Sequence, residues 1–301
     1  MPPSPRVLVV GDVINDTVAK ISAPLVPDAD NPAVIRARPG GSAANQAAWM
    51  ARLGLSVVFA GRVGAEDAGF HRRELARFGV EPRLAADESA ATGAIVVLVG
   101  PDGERTMITD RGANLMLRPD DVPAALLDGV ALLHLTGYSF FAPAPRAVVL
   151  GLISEASRRG VPFTVDPGSA AFLRQLAPGA FLDWTEGAAV CFPNRDEAAV
   201  LAGQPDPPLA AAALAGNYGA VVVKLGADGA VLAVGDAAPV PIPARPAVAR
   251  DTTGAGDAFC AGFLAAWLAG VPLTEAGTAA AKAAALAVAA LGGRPDAPET
   301  R

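Results

Sequence analysis

Residues 251–257 read Asp-Thr-Thr-Gly-Ala-Gly-Asp, and an apolar segment beginning Ala258-Phe259 follows them directly. The segment predicts an apolar helix over residues 255–268. Small residues at a helix start leave backbone N–H groups uncovered, and these groups form an anion pocket with the positive end of the helix. Glycines also let an anion approach the backbone closely. The stretch therefore predicts a helix N-terminus that binds an anion, with the Asp257 carboxylate facing it.

Short apolar strands alternate with helical segments after about residue 115. We predict strands at residues 131–135, 162–165, 189–192, 220–224 and 230–234. We predict helices at residues 145–159, 195–202, 208–217, 255–268 and 274–291, with Pro145 and Pro208 at first helical positions, where a missing N–H costs nothing. Buried strands that alternate with helices predict a mostly parallel sheet covered by helices on both faces.

The first third of the chain has a different pattern. Residues 6–10 and 57–60 are predicted buried strands, and residues 43–53 and 68–78 are predicted helices. Residues 17–22 and 34–38 alternate between polar and apolar, and residues 93–99 and 105–109 flank the turn Pro101-Asp102-Gly103, so both pairs predict antiparallel strands. Such pairs do not fit inside a parallel sheet, and we therefore predict a small β-strand lid from about residues 12–39 and 93–112.

Length and composition are typical of one folded α/β domain. The chain has 301 residues, of which 52% are hydrophobic and 18% charged, which excludes a disordered chain. We expect a single domain over residues 1–301 with the lid as an appendage; two equal domains are the alternative. The formal net charge is −6 and the basic residues form no stripe, so we expect no nucleic-acid partner.

The cysteines and histidines show no metal-binding pattern. Cys191 and Cys260 each lie in an apolar run and are expected to be reduced, buried thiols. His71 and His134 are the only histidines, and we expect structural or surface positions for them. The N-terminus lacks the features of a signal peptide, and the longest uncharged run is interrupted by glycine and proline. We therefore expect a cytoplasmic enzyme with no membrane partner.

Asp257 and the amides beside it supply the two groups that phosphoryl transfer to an alcohol requires. A base must take the hydroxyl proton, and donors must stabilise charge on the moving phosphoryl group. Within one helical turn, Asp257 offers the first, and the amides of Ala255 and Gly256 offer the second. The alternative is structural: Asp257 caps the helix and the glycines form a tight turn.

The seven-residue string resembles the C-terminal motif of the PfkB/ribokinase family, and the similarity extends in the same order along nearly the whole chain. The resemblance implies a ribokinase-like fold and a kinase that uses ATP and Mg²⁺. It implies that Asp257 is the catalytic base and that Gly254, Ala255 and Gly256 line the anion hole.

Two N-terminal segments resemble the sugar-binding motifs of the family. In Gly40-Gly41-Ser42-Ala43-Ala44-Asn45 the glycine pair is a hinge at the base of the lid, and Asn45 contacts the sugar; the alternative is a helix start with an incidental asparagine. Gly11-Asp12-Val13-Ile14-Asn15-Asp16 follows the first strand, and ligands bind beyond the carboxyl ends of parallel strands. The resemblance implies that Asp16 binds the sugar, with Gly41 and Asp12 beside it. Asp12 or Asn15 alternatively closes a turn.

Two later segments resemble motifs of the nucleotide side. Asn194 and Glu197 match an Asn-x-x-Glu motif that orders magnesium-bound waters and phosphate, and Glu197 acts through water because Mg²⁺ keeps much of its hydration shell. The alternative is a capping box formed by the same two residues. Lys224, Gly226 and Gly229 match the nucleotide-binding loop, where Lys224 faces a phosphate; a hairpin turn is the alternative.

The resemblance also implies that the carbonyl groups of Asp251 and Thr253 bind a monovalent cation, K⁺. The chain departs from the family at two places. Ala281 stands where many relatives have an asparagine near the adenine, and residues 166–170 lack the Asn and Arg of fructokinase-like and ketodeoxygluconate-kinase-like members. The strings Arg111-Gly112-Ala113-Asn114 and Asn45-Gln46 are closer to ribokinase itself.

The leading hypothesis is an ATP-dependent kinase that phosphorylates a primary hydroxyl of a free sugar such as ribose or a hexose. A nucleoside kinase of the same fold, of the adenosine or pseudouridine type, is the alternative, with Tyr138, Phe140 and Phe141 as a wall for the base. The motifs of Rossmann dehydrogenases and P-loop kinases are absent from the sequence, and the intact Asp257 argues against a sensor that has lost catalysis. Apolar alternation in the lid favours a homodimer through it.

Overall fold

The computed structural model describes residues 4–102, 104–177 and 179–296. The strands are β1 (Arg6–Val10), β2 (Ile14–Ile21), β3 (Ala33–Gly40), β4 (Ser56–Gly64), β5 (Val80–Asp87), β6 (Thr92–Val99), β7 (Arg105–Gly112), β8 (Leu132–Thr136), β9 (Phe163–Asp166), β10 (Val190–Cys191), β11 (Val221–Lys224), β12 (Ala230–Ala233) and β13 (Val240–Ile242). The α-helices are α1 (Ser42–Arg52), α2 (Ala68–Ala76), α3 (Pro143–Arg158), α4 (Ala170–Leu173), α5 (Ala180–Thr185), α6 (Arg195–Ala202), α7 (Pro207–Leu214), α8 (Ala255–Leu268) and α9 (Leu273–Ala289).

Nine strands form one large sheet in the order β13-β12-β11-β10-β9-β8-β1-β4-β5. The strands from β11 to β5 in this order pair in parallel, and β12 and β13 add an antiparallel edge. Parallel neighbours require crossover connections, and the helices that alternate with these strands provide them. The predicted mostly parallel sheet is therefore present.

Helices cover both faces of this sheet. In β1, Val7 and Val9 belong to a core formed with α1, α8 and α9, whereas Leu8 and Val10 belong to a core formed with α3, α6 and α7. Successive side chains of a strand point to opposite faces, so a strand buried on both sides is apolar throughout. This explains why β1 shows no polar alternation in the sequence.

A separate four-stranded sheet has the order β3-β2-β6-β7. Its central strands β2 and β6 pair in parallel, and the two outer pairs are antiparallel, so the two predicted hairpin regions join into one sheet. The strand β3 leads through Gly40 and Gly41 into α1. Gly103, part of the turn predicted between β6 and β7, lies outside the described residues.

The elements differ from the predicted ones at a few places. Strand β5 was not predicted, because Pro82 and the charged residues beside it are typical of a loop; the strand is at the sheet edge, where proline is tolerated. Helix α3 begins at Pro143 instead of Pro145, and α7 at Pro207 instead of Pro208. Each helix holds two prolines in its first turn, where the missing N–H groups have no intrahelical partner.

Candidate active site

A cavity of about 900 Å³ lies between the small sheet and the carboxyl ends of the parallel strands. This is the position at which open α/β sheets bind ligands. Except for Asp251, every residue predicted for the site lines this cavity: Asp12, Asp16, Gly41, Asn45, Asn194, Glu197, Lys224, Gly226, Gly229, Thr253, Gly254, Ala255, Gly256 and Asp257.

The N-terminus of α8 opens directly into the cavity. Gly254 precedes the helix with φ 75°, and a Cβ at this position would lie 2.5 Å from Gly293 Cα, so the tight turn requires glycine. Within the described part of the chain, no side chain caps α8. Ala255 N donates only a long hydrogen bond, of 3.4 Å, to Thr252 O, so the first turn keeps amide donors at the positive end of the helix, where an anion binds most favourably.

Asp257 lies in the first turn of α8 and accepts three hydrogen bonds from α1. Ser42 Oγ donates to Asp257 Oδ1 at 2.7 Å, Gln46 Nε2 donates to the same oxygen at 3.1 Å, and Asn45 Nδ2 donates to Oδ2 at 3.1 Å. Burial raises the pKa of Asp257 to about 7, against these hydrogen bonds, and the negative charge of Asp166 adds to the rise. A carboxylate with this pKa exchanges a proton near neutral pH, as a general base requires.

Asp12 is bound to the start of α1. Its Oδ2 accepts from Ser42 N at 3.1 Å, and its Oδ1 accepts from Ala43 N at 3.2 Å and from Thr136 Oγ1 at 3.3 Å. Both oxygens thus have donors from the protein, and the side chain is only 3% exposed. Asp12 neutralises the uncovered amides of the α1 N-terminus and has little capacity left for a ligand.

Asp16, on β2, differs from Asp12 in the hydrogen bonding of its carboxylate. Among the described residues, none donates a hydrogen bond to its carboxylate. Burial, with the charge of Asp12, raises the pKa of Asp16 to about 6. A Cβ on Gly40 would collide with this carboxylate, so the glycine makes room for it. Asp16 therefore presents free acceptors to the cavity.

Asn45 is oriented by two charged residues. Its Nδ2 donates to Asp257, and its Oδ1 accepts from Arg294 Nε at 3.4 Å. Arg294 Nη2 also donates to Gly40 O at 3.1 Å, so one buried guanidinium connects the backbone at Gly40 to Asn45. Gly41, which follows Gly40, has φ 97° and passes close to the backbone of Asp12. Arg294 was not predicted, because no local pattern near the C-terminus distinguishes it.

Asn194 and Glu197 form a reciprocal capping box at the start of α6. Glu197 N donates to Asn194 Oδ1 at 2.9 Å, and the Glu197 oxygens accept from Asn194 N at 2.8 Å and from Asn194 Nδ2 at 2.7 Å. Burial, reinforced by Asp166, raises the pKa of Glu197 to about 7. Because both oxygens have donors and the residue is 2% exposed, a Mg²⁺ ion would reach Glu197 through water.

Lys224 forms a buried ion pair that the sequence did not indicate. Its Nζ lies 2.8 Å from Asp166 Oδ2, which also accepts from Cys260 Sγ at 3.2 Å. Burial disfavours the ammonium charge, but Asp166, together with Cys260 and Glu197, outweighs burial and holds the pKa of Lys224 above its usual range. A Cβ on Gly256 would lie 3.6 Å from Lys224 Nζ, so the ammonium group is beside the α8 N-terminus.

The loop after β11 approaches the antiparallel edge of the large sheet. Gly226 and Gly229 have φ 63° and 89°, and both line the cavity. A Cβ on Gly229 would collide with the carbonyl oxygen of Ile242 on β13. This loop therefore combines the predicted hairpin turn with a wall of the cavity.

Asp251 lies just outside the cavity wall and stabilises the segment before α8. Its Oδ1 accepts from Thr253 N at 3.0 Å and from Thr253 Oγ1 at 2.7 Å, and its Oδ2 accepts from Gly292 N at 3.0 Å. The side chain thus ties this segment to the C-terminal turn. In the described ranges, no group of three or more His, Cys, Asp and Glu residues is arranged to bind a metal.

One end of the cavity is apolar. Its wall is formed by small and aliphatic side chains, among them Ala247, Ala281, Ala285 and Val288. Ala281 thus contributes a methyl group at the position where many relatives have an asparagine near the adenine. An apolar slot of this kind suits a flat heterocycle.

Cys191 and Cys260 are both free and buried, as predicted. None of the helices in the described ranges is long and apolar enough to span a membrane.

Comparisons with known proteins agree with the resemblance found in the sequence. A family model described as pfkB family carbohydrate kinase matches residues 4–300. The ATP-dependent ribose-1-phosphate kinase of Halopiger xanaduensis is 32% identical in an alignment of 271 residues that covers 87% of this chain and 85% of the relative.

Solved structures share the fold over almost the whole chain. The structure of Arabidopsis thaliana ribokinase complexed with ribose and ATP has a TM-score of 0.79 and 27% identity, and covers 98% of this chain and 96% of its own. Adenosine kinase from Sinorhizobium meliloti has a TM-score of 0.86 and 27% identity, over 97% and 96% of the two chains. The predicted ribokinase-like fold is confirmed.

Proposed function

The chain belongs to the pfkB family of carbohydrate kinases, phosphotransferases that act on an alcohol group, and from this premise we propose that it transfers the γ-phosphate of ATP to a primary hydroxyl of a free sugar such as ribose or a hexose. One observation carries the proposal. The Asp257 carboxylate, with its pKa near 7, lies in the same cavity as the first-turn amides of α8 and the Lys224 ammonium group.

In the proposed reaction Asp257 accepts the proton of the acceptor hydroxyl. At the same time the oxygen of that hydroxyl attacks the γ-phosphorus. The bond between the γ-phosphorus and the bridging oxygen breaks, and ADP leaves with that oxygen. The amides of Gly254, Ala255 and Gly256 stabilise the charge on the moving phosphoryl group. Lys224 adds a positive charge beside Gly256, and its ion pair with Asp166 offsets part of that charge.

The acceptor is proposed to lie between Asp257 and the small sheet. Asp16 has unoccupied acceptor oxygens for sugar hydroxyls, and Asn45 has a second N–H beyond the one given to Asp257. Asp12 stabilises α1 and has at most a minor contact with the sugar. Closure of the small sheet about Gly41 would exclude water, which otherwise competes with the sugar for the phosphoryl group.

The residues fit the implied ions to different degrees. Mg²⁺, when bound with ATP, neutralises phosphate charge; Glu197, through water, and Asn194 are the side chains proposed to orient it. For K⁺, the proposed ligands are the carbonyls of Asp251 and Thr253, in a segment that the Asp251 carboxylate holds in place.

The apolar wall with Ala281 is the proposed adenine site. Because ATP is held inside cells, we include a cytoplasmic location in the proposal.

An ADP-release assay over ribose, fructose, other hexoses and nucleosides tests the proposal, with each product identified by NMR. We expect one free sugar to be phosphorylated at a primary hydroxyl far faster than water. ATP hydrolysis that no acceptor accelerates would contradict it. Asp236→Asn, at an exposed aspartate remote from the cavity, is the control for variants of Asp257.

A nucleoside remains the second candidate because of a neighbouring cavity. This cavity, of about 220 Å³, shares Arg111 and Tyr138 with the main one, and Phe141 and Phe172 are among its walls. Arg111 lies 4.6 Å from the centre of the Tyr138 ring. Phe140, by contrast, is fully buried in the core. The nucleobase of a nucleoside would fit among these aromatic rings. In the same assay, faster turnover of a nucleoside than of its free sugar would favour this candidate.

We also propose that the small sheet forms a homodimer. Its outer face exposes Ile35 by 58%, Val96 by 38% and Ile108 by 60%. The pairing of Val96 with both Thr17 and Ile108 puts apolar residues of neighbouring strands on one face. Light scattering should give a dimer for the wild type and a monomer for Ile35→Lys/Ile108→Lys. A monomeric wild type would contradict the proposal.

A further inference from the structure

A chain of buried polar groups runs from the large sheet to Asp257. His134, in β8, is fully buried; its Nδ1 lies 2.7 Å from Thr164 Oγ1 on β9, and its Nε2 contacts Gln46 Oε1 on α1. Gln46 is also fully buried, and its Nε2 lies 3.1 Å from Asp257 Oδ1 and 3.0 Å from Asp166 Oδ2. Neither His134 nor Gln46 lines the cavity, so both reach the reacting groups through residues that do, namely Asp257, Asp166 and Ser42.

The chemistry of these groups decides which of them donate. An amide nitrogen that faces two carboxylates must be the donor, so the Gln46 oxygen faces His134. Because that oxygen only accepts, His134 Nε2 must carry a hydrogen. Burial lowers the pKa of His134 to about 4, so the imidazole is neutral near pH 7 and its Nδ1 accepts from the Thr164 hydroxyl.

This arrangement prevents a 180° flip of the Gln46 side-chain amide. After such a turn, the Gln46 oxygen would face the carboxylates of Asp257 and Asp166, and its nitrogen would meet the N–H of His134. The two N–H groups of Gln46 are shared among Asp257, Asp166 and Ser42 Oγ, the last at 3.1 Å. The direction of Asp257 Oδ1 is thus set by a side chain that has one available orientation.

We propose that Gln46, held by His134, is a positioning residue that orients the Asp257 carboxylate and stabilises its ionised form. The proposal rests on the role of Asp257 as base in the proposed kinase reaction. Ser42 and Asn45 donate to Asp257 as well, but both line the cavity and are open to ligand. Gln46 supplies the donor that no ligand displaces.

Several other charged and titratable groups surround Asp257. They are Asp166 on β9, Lys224 on β11, Cys260 on α8, His134 on β8, Arg294 through Asn45, and Asp12, Asp16 and Glu197 in the same cavity. Asp166 disfavours the ionised form of Asp257, and Lys224 offsets Asp166 through their ion pair. All of these groups remain when Gln46 is replaced, so loss of its hydrogen bond should raise the pKa of Asp257 further.

Gln46→Met keeps the volume of the side chain and removes its hydrogen bonds. We expect the acid limb of the kcat/KM–pH profile to move up by about one pH unit, because one hydrogen bond to the ionised form is lost. We expect kcat/KM at pH 7 to fall about 5-fold and to recover most of this loss by about pH 9, with KM for ATP unchanged. Gln204→Met, remote from the cavity, is the matched control. A loss that is equal at every pH, or no loss at all, would overturn the proposal.

The part played by His134 needs a double-mutant cycle. His134→Phe should shift the profile in the same direction, and Gln46→Met/His134→Phe should shift it no further than Gln46→Met alone, because His134 acts through Gln46. Additive shifts would overturn that part.

Nitrogen-15 NMR of the wild-type imidazole tests the arrangement without any activity and without a variant that must fold. His71 is the only other histidine, so the spectrum is simple to assign. We expect His134 to be the neutral Nε2–H form throughout the range from about pH 5.5 to 8. An Nδ1–H form, or a titration in this range, would overturn the proposal even if the kinase is active. An inactive wild type with the expected tautomer would contradict only the proposed function.

Discussion

The Lys224 ammonium group lies 2.8 Å from the Asp166 carboxylate at the inner end of the cavity, where the two side chains are only 12% and 5% exposed. Asp166 ends β9 and Lys224 ends β11, so the pair joins two strands that are separated by β10. The lysine that was expected to face a phosphate is thus paired with a carboxylate of the protein itself.

Removing one partner of this pair should destabilise the fold. Lys224→Met leaves Asp166 buried without its counter-ion, which costs about 3–5 kcal/mol in comparable buried pairs. Urea unfolding measures the change, and Lys282→Met, at an exposed lysine of α9, is the control. Equal unfolding free energies for the two variants would show that water or another donor replaces the ammonium group. For the folded fraction, we also expect KM for ATP to rise.

Replacing the proposed base should abolish most of the activity. Asp257→Asn keeps the shape of the side chain but cannot take the hydroxyl proton, and we expect kcat to fall about 10³-fold. Binding of ATP, measured by calorimetry, should change little. Turnover near the wild-type rate would remove Asp257 from the mechanism, and Asp236→Asn controls for the loss of one negative charge.

The activity should also depend on pH in a defined direction. The ionised form of Asp257 is the base, and its pKa is about 7, so kcat/KM should rise with pH through 7 and then level off. Asp16, with a pKa of about 6, should steepen the fall below pH 6, because its protonated form accepts fewer hydroxyl hydrogen bonds. Asp16→Asn should remove that lower step and leave the step near pH 7. A flat profile from pH 5 to pH 8 would contradict both assignments.

Asp16 should affect the acceptor more than the nucleotide. Asp16→Ala removes the carboxylate that has free acceptors in the cavity, and we expect KM for the sugar to rise at least about 10-fold, since two or more hydrogen bonds are lost. KM for ATP should change less than about twofold. Equal losses for both ligands would mean that the acceptor binds elsewhere.

The turn before α8 should tolerate only glycine. Gly254→Ala faces both a positive φ, which costs about 1–2 kcal/mol, and a clash with Gly293, which adds about 1–3 kcal/mol. Gly270→Ala is a matched control, because Gly270 has φ 84° but open space around it. The difference in unfolding free energy between the two variants measures the clash alone. No difference would mean that the C-terminal turn moves away freely.

Much of the fold could be predicted because its causes are local in the chain. The apolar strand β1 and the glycine-rich start of α8 each occupy fewer than ten consecutive residues, and their patterns do not depend on distant partners. Strand β5 could not be predicted in this way, because Pro82 is compatible with a strand only at the edge of a sheet, and the edge position is a property of the whole topology.

The site was predictable to a similar extent. The residues in contiguous motifs line one cavity, since three motifs follow β1, β10 and β11 of the large sheet, and the motif after β3 connects the small sheet to α1 beside them. The partners of those residues were not predictable. Asp12 turns to the amides of α1, and Glu197 to Asn194, although a sequence pattern allows either residue to face a ligand.

The amino-acid sequence by itself determined the family, most of the strands and helices, and the short segments that meet at the cavity, because each depends on residues adjacent in the chain. Only the tertiary structure decided which side chains touch: Lys224 with Asp166, Gln46 with His134, and Arg294 with Asn45. These pairs are separated by 58, 88 and 249 residues, and such contacts depend on strand register and helix rotation, which no local pattern encodes.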